Sequence, residues 1–172
     1  VTGKNAFEKL CKIPTEVAVS SEFRYRSPLV DDKSLCIFIS QSGETADTIT
    51  AIKQVKEKGS HVAIITNRKE SLLAWLSDSL LHVKAGIEVS VAATKSYIAQ
   101  LISLYLFAIY TAETLNKNLD KVREIKHELM TLPAKLEGVL ANTSKIKEIA
   151  KKYSSYKNFI FIARGINYPT AL

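Results

Sequence analysis

Short apolar runs alternate with segments of helical spacing through the first 110 residues of the chain. Leu35–Ile39 and His61–Thr66 are almost continuously apolar, which is typical of strands that are buried on both faces. Between them, Ala46–Lys58 carries apolar residues at helical spacing and is followed by Gly59, a common residue just after a helix end. Strands and helices that alternate in this way predict a parallel sheet with helices on both sides.

Shorter patterns predict the other elements of a first unit that covers residues 1–115. They are helices at Asn5–Cys11, Ser71–Leu76 and Val91–Leu115, and strands at Glu16–Ser20 and Ser79–Val83. The fold class that follows is α/β, a three-layer α/β/α arrangement around a parallel sheet.

The pattern then changes, and apolar residues recur at every third or fourth position. We expect a helical linker over residues 116–156, which Pro133 either splits into two helices or kinks. The same spacing also suits a seam between two copies in a dimer. Asn158–Ala163 predicts another buried strand, so residues 157–172 are interpreted as the start of a second α/β unit. Because one strand cannot bury both of its faces alone, the protein is expected to continue after this strand.

Composition limits the classes of function that the chain can have. With 172 residues, 47% of them apolar, it is long enough for a globular domain with a sizeable core. Residues 117–157 carry ten Lys or Arg and five Asp or Glu, and so hold most of the net charge of +7. Because acidic residues are mixed with the basic ones and aromatic residues do not alternate with them, we expect a solvated helix face and no nucleic-acid partner.

The sequence also argues against membrane, disulfide and metal sites. Its longest apolar stretch, Tyr97–Tyr110, is interrupted by Gln100 and Ser103 and is shorter than the roughly 20 residues of a membrane span. Cys11 and Cys36 make no disulfide framework, and the cysteines and histidines lack the spacing of metal ligands. We therefore expect a cytoplasmic protein with no metal and no cofactor.

The segment with the clearest chemistry directly follows the first buried strand. Ser40, Ser42 and Thr45 surround Gly43 at the point where the strand gives way to a helix. The free N–H groups of a helix start carry partial positive charge, and the hydroxyl groups add further donors. The loop also lies at the carboxyl end of a parallel strand, where such sheets bind ligands. These features predict a loop that binds a phosphate group.

A second interpretation of the same residues is purely structural. Ser42 or Thr45 would cap the helix, and Glu44 and Asp47 would be favourable in its first turn. The two interpretations are compatible with each other. The loop is not a P-loop, because it lacks Gly-Lys-Ser/Thr, and it is not a dinucleotide fingerprint, because it lacks Gly-x-Gly-x-x-Gly.

Residues 40–48, Ser-Gln-Ser-Gly-Glu-Thr-Ala-Asp-Thr, closely resemble the signature of the sugar isomerase (SIS) domain. They resemble in particular the isomerase half of the glutamine–fructose-6-phosphate aminotransferases. Residues 21–26, 88–96 and 164–169 agree with that family in order and spacing, so the resemblance extends over nearly the whole chain. It implies a flavodoxin-like SIS sheet and a phosphorylated sugar as ligand.

The resemblance also implies which residues bind the ligand. In the family the loop holds the 6-phosphate of the sugar, and the matching positions here are Ser40, Gln41, Ser42 and Thr45. The position of Val91 contacts the sugar at the start of the following helix.

Ala93 and Glu88 lie within the third segment that resembles the family, residues 88–96. The family often has Ser where this chain has Ala93, so a side-chain hydrogen bond of the family is not expected here. An alanine at this position also resembles related SIS deaminases and isomerases. Glu88 has two interpretations, of which an acid at a helix start is favoured and a residue near the site is the alternative.

The resemblance implies a reaction whose catalytic groups are expected outside this chain. Ammonia from a glutaminase domain reaches fructose 6-phosphate, and a carboxylate base moves a proton between C2 and C1 to give glucosamine 6-phosphate. The family's first strand, with its Gly-Thr-Ser loop, is expected before Val1, so the unit of residues 1–115 is expected to lack that strand. Its catalytic Glu, ring-opening His and Schiff-base Lys are expected after Leu172. The chain by itself is therefore expected to be inactive.

Other functions on the same fold stay open at this point. They are a SIS-domain sugar-phosphate deaminase, a ketose–aldose isomerase and a non-catalytic sugar-phosphate sensor. The partners that the resemblance implies are fructose 6-phosphate or glucosamine 6-phosphate, a glutaminase domain in the full-length protein, and a second copy in a homodimer.

Overall fold

The computed structural model describes residues 1–89 and 93–171, which form two compact units. One unit comprises residues 15–107, and the other combines residues 1–14 with the chain from residue 108 onward. The predicted domain boundaries after residues 115 and 156 remain predictions.

A parallel sheet of three strands organises the unit of residues 15–107. The strands are β1 (Leu35–Ser40), β2 (His61–Thr66) and β3 (Ser79–His82), in the spatial order β1-β2-β3. Ser40 pairs with Thr66, so the strands β1 and β2 end side by side at the same edge of the sheet. The predicted α/β class with a parallel sheet is confirmed.

In its described residues, the same unit contains four helical segments, and two of them pack on this sheet through a small apolar core. The helices are α2 (Ser20–Phe23), α3 (Ala46–Glu57), α4 (Leu72–Leu76) and the beginning of α5 (Lys95–Thr114). Ile52 and Val55 of α3 and Leu73 of α4 pack against Val62 and Ile64 of β2, and all five side chains are fully buried. Burial of a side chain of this size contributes about 1.5–3 kcal/mol, so this cluster fixes α3 on the sheet.

The other unit is almost entirely helical. Its elements are α1 (Thr2–Ala6) followed by a π-helical turn (Phe7–Cys11), the end of α5, α6 (Leu119–Ala141), α7 (Ser144–Tyr153), a 3₁₀ turn (Gly165–Asn167) and α8 (Tyr168–Ala171). The Asn118 side chain donates to the carbonyl groups of Lys9 and Leu10, over 3.1 and 2.8 Å, and thereby ties the start of α6 to the π-helical turn.

Four expectations about these elements are wrong or only partly met. Glu16–Ser20 forms no strand. The strand β1 is only half-buried, because within the described residues it has a partner strand on one side only. The helix α6 continues through Pro133, so the predicted split at this residue is wrong and the break falls at Asn142 and Thr143; the alternative, a kink at Pro133, stays a prediction. Asn158–Ala163 is exposed and pairs with no strand among the described residues, so its apolar pattern alone does not make it a buried strand.

Within residues 1–89 and 93–171, no helix is both long enough and apolar enough to cross a membrane.

Candidate anion-binding site

The loop from Ser40 to Thr45 joins the end of β1 to the start of α3, as the sequence predicted. It therefore lies at the carboxyl edge of the parallel sheet, next to the end of β2. Parallel sheets bind ligands at this edge, because the chain leaves each strand there through a loop and enters a helix.

Gly43 allows the loop to turn tightly beneath the start of α4. Its φ of +70° lies in the left-handed region, which favours glycine. A Cβ atom at this position would lie 2.0 Å from Ser71 Oγ, and Ser71 is itself buried. The Gly43 carbonyl group accepts a hydrogen bond from the Leu73 N–H over 3.0 Å, so α4 holds the loop from below.

The hydroxyl groups of the loop are joined by hydrogen bonds. Ser40 Oγ accepts from the Gly43 N–H at 3.0 Å and shares a hydrogen bond of 3.2 Å with Thr45 Oγ1. Ser42 Oγ accepts from the Glu44 N–H at 3.3 Å. Ser40 is buried and Thr45 is exposed, so this pair links the sheet edge to the surface, while the half-buried Ser42 bonds separately to the loop backbone.

The start of α3 has no side-chain cap. Thr45 is the N-cap residue, but its hydroxyl group is directed to Ser40 and accepts no N–H of the helix. The first N–H groups of a helix have no acceptor within the helix, so the first turn of α3 retains donors for an external anion. The structural interpretation is therefore met in part: Thr45 occupies the N-cap position and Asp47 lies in the first turn, but the Thr45 hydroxyl group makes no capping hydrogen bond.

A cleft of about 390 Å³ opens beside the loop. Its volume falls within the range of small-molecule sites, roughly 300–1,000 Å³. Four of the predicted site residues line it: Ser40, Gln41, Ser42 and Thr45. Val91, the fifth, lies outside the described residues.

Sequence reasoning missed a second wall of this cleft. Val19, Ser20 and Ser21 form that wall, and Thr48 and Asp47 are added by the first turn of α3. The hydroxyl groups of Ser20 and Thr48 are hydrogen-bonded at 3.1 Å. The adjacent hydroxyl residues Ser20 and Ser21 could have indicated this wall. They were not considered as site residues because a strand was expected over Glu16–Ser20.

The acidic residues near the loop have structural partners. Glu44 Oε1 accepts from the Leu72 N–H at 3.0 Å, at the start of α4. Glu88 lies at the start of α5, where its carboxylate accepts from the N–H groups of Thr94 and Lys95 at 3.0 and 2.9 Å, and also from the Ser96 hydroxyl group. The Ser96 hydrogen bond and then the Thr94 N–H lower the pKa of Glu88 to about 2. The interpretation of Glu88 as an acid at a helix start is confirmed.

Residues 1–89 and 93–171 contain no group of three or more His, Cys, Asp or Glu side chains that is arranged to hold a metal ion.

The fold and the loop together define an α/β domain with a candidate anion-binding cleft at the carboxyl edge of a parallel sheet. Residues 1–110 match the sequence profile of the SIS domain, and the chain belongs to this family.

Relatives of known name give the comparison more detail. A glutamine–fructose-6-phosphate aminotransferase [isomerizing] of Clostridium perfringens (strain 13 / Type A) is 43% identical over 173 residues, which cover 100% of this chain and 28% of that protein. The chain therefore spans less than a third of the length of this relative.

Solved structures agree with this assignment. The C-terminal domain of glucosamine-fructose-6-phosphate aminotransferase from Francisella tularensis superposes with a TM-score of 0.92 at 36% identity, over 99% of this chain and 48% of that one. A glucosamine-6-phosphate deaminase from Thermotoga maritima superposes with a TM-score of 0.61 at 27% identity, over 72% of this chain and 38% of that one.

Proposed function

We propose that the chain is the sugar-phosphate-binding isomerase segment of a glutamine–fructose-6-phosphate aminotransferase. Its loop would hold the phosphate group of fructose 6-phosphate or glucosamine 6-phosphate. The observation that carries the proposal is the convergence of hydroxyl groups and helix N–H groups on one open cleft.

The proposed phosphate site works through many weak donors rather than through a cation. Ser42 and Thr45 donate from the rim of the cleft, and the N–H groups at the start of α3 donate along the helix axis. Ser40 holds Gly43 and Thr45 in place, and Gln41 adds a side-chain amide. In this proposal Val91 contacts the sugar itself.

The proposed role in the reaction is to bind and orient the substrate. A phosphate group held far from the reacting carbon supplies binding energy that positions C1 and C2 for proton transfer. In this proposal the proton transfer belongs to a carboxylate base that is expected outside this chain. The ammonia would come from a glutaminase domain of the full-length protein, and we expect that protein to act as a cytoplasmic homodimer.

The similarities support the aminotransferase over a deaminase. Identity to the Clostridium aminotransferase is 43% over the whole chain, whereas identity to the Thermotoga deaminase structure is 27% over 72% of the chain.

Replacement of the two rim hydroxyl groups tests the proposal. In the full-length protein, the double variant Ser42→Ala and Thr45→Ala should bind glucosamine 6-phosphate at least about a hundredfold more weakly, because each of the two hydrogen bonds to a charged group contributes about 1.5–3 kcal/mol and every 1.4 kcal/mol is about tenfold in affinity. Isothermal titration calorimetry measures the dissociation constant.

A matched control separates loss of the site from loss of hydroxyl groups in general. The variant Thr50→Ala and Ser77→Ala also removes one threonine and one serine hydroxyl group, both of which bond to backbone carbonyl groups away from the cleft. It should bind like the wild type. Unchanged affinity in the Ser42 and Thr45 variant would refute the assignment of the loop.

A further inference from the structure

Asp47 places a negative charge in the cleft that is proposed to hold a phosphate group. A carboxylate is favourable in the first turn of α3, because it complements the positive end of the helix dipole. The same carboxylate would repel a phosphate dianion in the same cleft. The cleft can bind such a ligand well only if the charge of Asp47 is compensated.

Arg24 supplies that compensation from outside the lining of the cleft. Its Nη1 lies 2.6 Å from Asp47 Oδ1, and the two side chains are each 37% exposed. The hydrogen bond with Asp47 is the largest of the effects that raise the pKa of Arg24, so the guanidinium group stays charged.

The surrounding contacts fix Arg24 in this position. Its guanidinium group lies over the ring of Tyr25, 4.9 Å from the ring centroid. Its backbone carbonyl group accepts from Gln54 Nε2 at 2.9 Å, so α3 contacts this residue at two points about two helical turns apart. The contact between Ser20 and Thr48 lies alongside and joins the same two segments.

Other ion pairs of this unit do not have this arrangement. Arg26 pairs with Glu16, and Lys56 pairs with Asp78, but none of these four residues lines the cleft. Of the ion pairs described in this unit, the Arg24–Asp47 pair is the one that includes a lining residue.

We propose that Arg24 is a positioning residue that neutralises Asp47 and so makes the cleft selective for dianionic phosphate ligands. The inference rests on the proposed function of the loop. Arg24 acts through Asp47 in this account and makes no contact with the ligand.

A set of charge variants in the full-length protein tests the inference. Calorimetry with glucosamine 6-phosphate, and with inorganic phosphate as a second probe, measures affinity for Arg24→Gln, Asp47→Asn and the double variant. Arg24→Gln leaves a net negative pair and should weaken binding about tenfold. Asp47→Asn leaves a net positive pair and should bind at least as tightly as the wild type. The double variant is neutral, and its dissociation constant should return to within about threefold of the wild type.

Further variants distinguish an effect of the Arg24–Asp47 pair from a general effect of losing an ion pair or from misfolding. Arg26→Gln removes the neighbouring ion pair and should leave binding unchanged. If Arg24→Gln does not fold, Arg24→Lys and Asp47→Asn still test the sign of the effect, and both should keep wild-type affinity or exceed it.

Three results would overturn the inference. Unchanged binding in Arg24→Gln would show that the pair does not act on the ligand. Weak binding in both single variants and in the double variant would show that the Arg24–Asp47 pair only holds the second wall of the cleft, Val19–Ser21, in place. Weak binding in the double variant with tighter binding in Asp47→Asn would show direct contact between Arg24 and the ligand. If the wild type binds neither probe, the proposed function of the loop fails first.

Discussion

At the scale of single residues, Gly43 determines whether the loop can form. Its backbone conformation is costly for any other residue, and the side chain of Ser71 fills the space that a Cβ atom would need. The sequence alone showed that a glycine stood among three hydroxyl residues. It did not show that Ser71, 28 positions later, would pack against it, because that contact depends on the docking of α4.

A glycine-to-alanine comparison tests this account. Gly43→Ala should lower the free energy of unfolding by about 2–4 kcal/mol, the sum of a left-handed backbone and an overpacked contact. Gly86 has the same φ of +70° and nothing within 4 Å of an added Cβ atom. Gly86→Ala should therefore cost only about 1 kcal/mol. Urea unfolding measures both values, and equal losses would contradict the proposed clash.

At the scale of elements, the start of α5 depends on the carboxylate of Glu88. The pKa of Glu88 is about 2 in the folded protein, below its ordinary value of 4.5. A lowered pKa stabilises the fold above pH 4.5, and this contribution is lost as the pH falls from 4.5 towards 2.

The pH dependence of melting therefore tests the role of Glu88. Glu88→Gln should melt at a lower temperature than the wild type at pH 7, and the difference should shrink between pH 4.5 and pH 2. Ser96→Ala removes the hydrogen bond that contributes most to the lowered pKa, so it should move this loss to a higher pH. A difference in melting temperature that is constant from pH 7 to pH 2 would contradict the account.

Elements with a strong local pattern were predictable, and elements that depend on a partner were not. The strand β2 and the helix α3 appear within one residue of their predicted bounds, because their apolar residues pack on each other. Glu16–Ser20 and Asn158–Ala163 carry apolar residues that suit strands, yet no neighbouring strand pairs with them in the described parts of the chain. A strand is stabilised by hydrogen bonds to another segment, which its own sequence does not encode.

Pro133 illustrates a related limit. Proline removes one hydrogen bond of a helix and usually breaks or kinks it, so the sequence allowed a break at this residue. The helix α6 continues instead, and the chain leaves the helical conformation at Asn142.

At the scale of the whole molecule, the proposal divides binding from catalysis. In the proposal, the loop and the cleft bind the phosphate group, and the groups that move protons are expected outside the chain. The 172-residue chain by itself should therefore form no glucosamine 6-phosphate from fructose 6-phosphate and ammonia. An assay of product formation checks this, with the full-length protein as the positive control. Turnover by the chain alone would show that catalytic groups lie within it.

The most direct test of the central claim is a structure of the full-length protein with bound glucosamine 6-phosphate. The account predicts that the phosphate oxygens lie within about 3.2 Å of the hydroxyl groups of Ser42 and Thr45 and of the first N–H groups of α3. A phosphate group bound elsewhere, with the loop between β1 and α3 unoccupied, would contradict it.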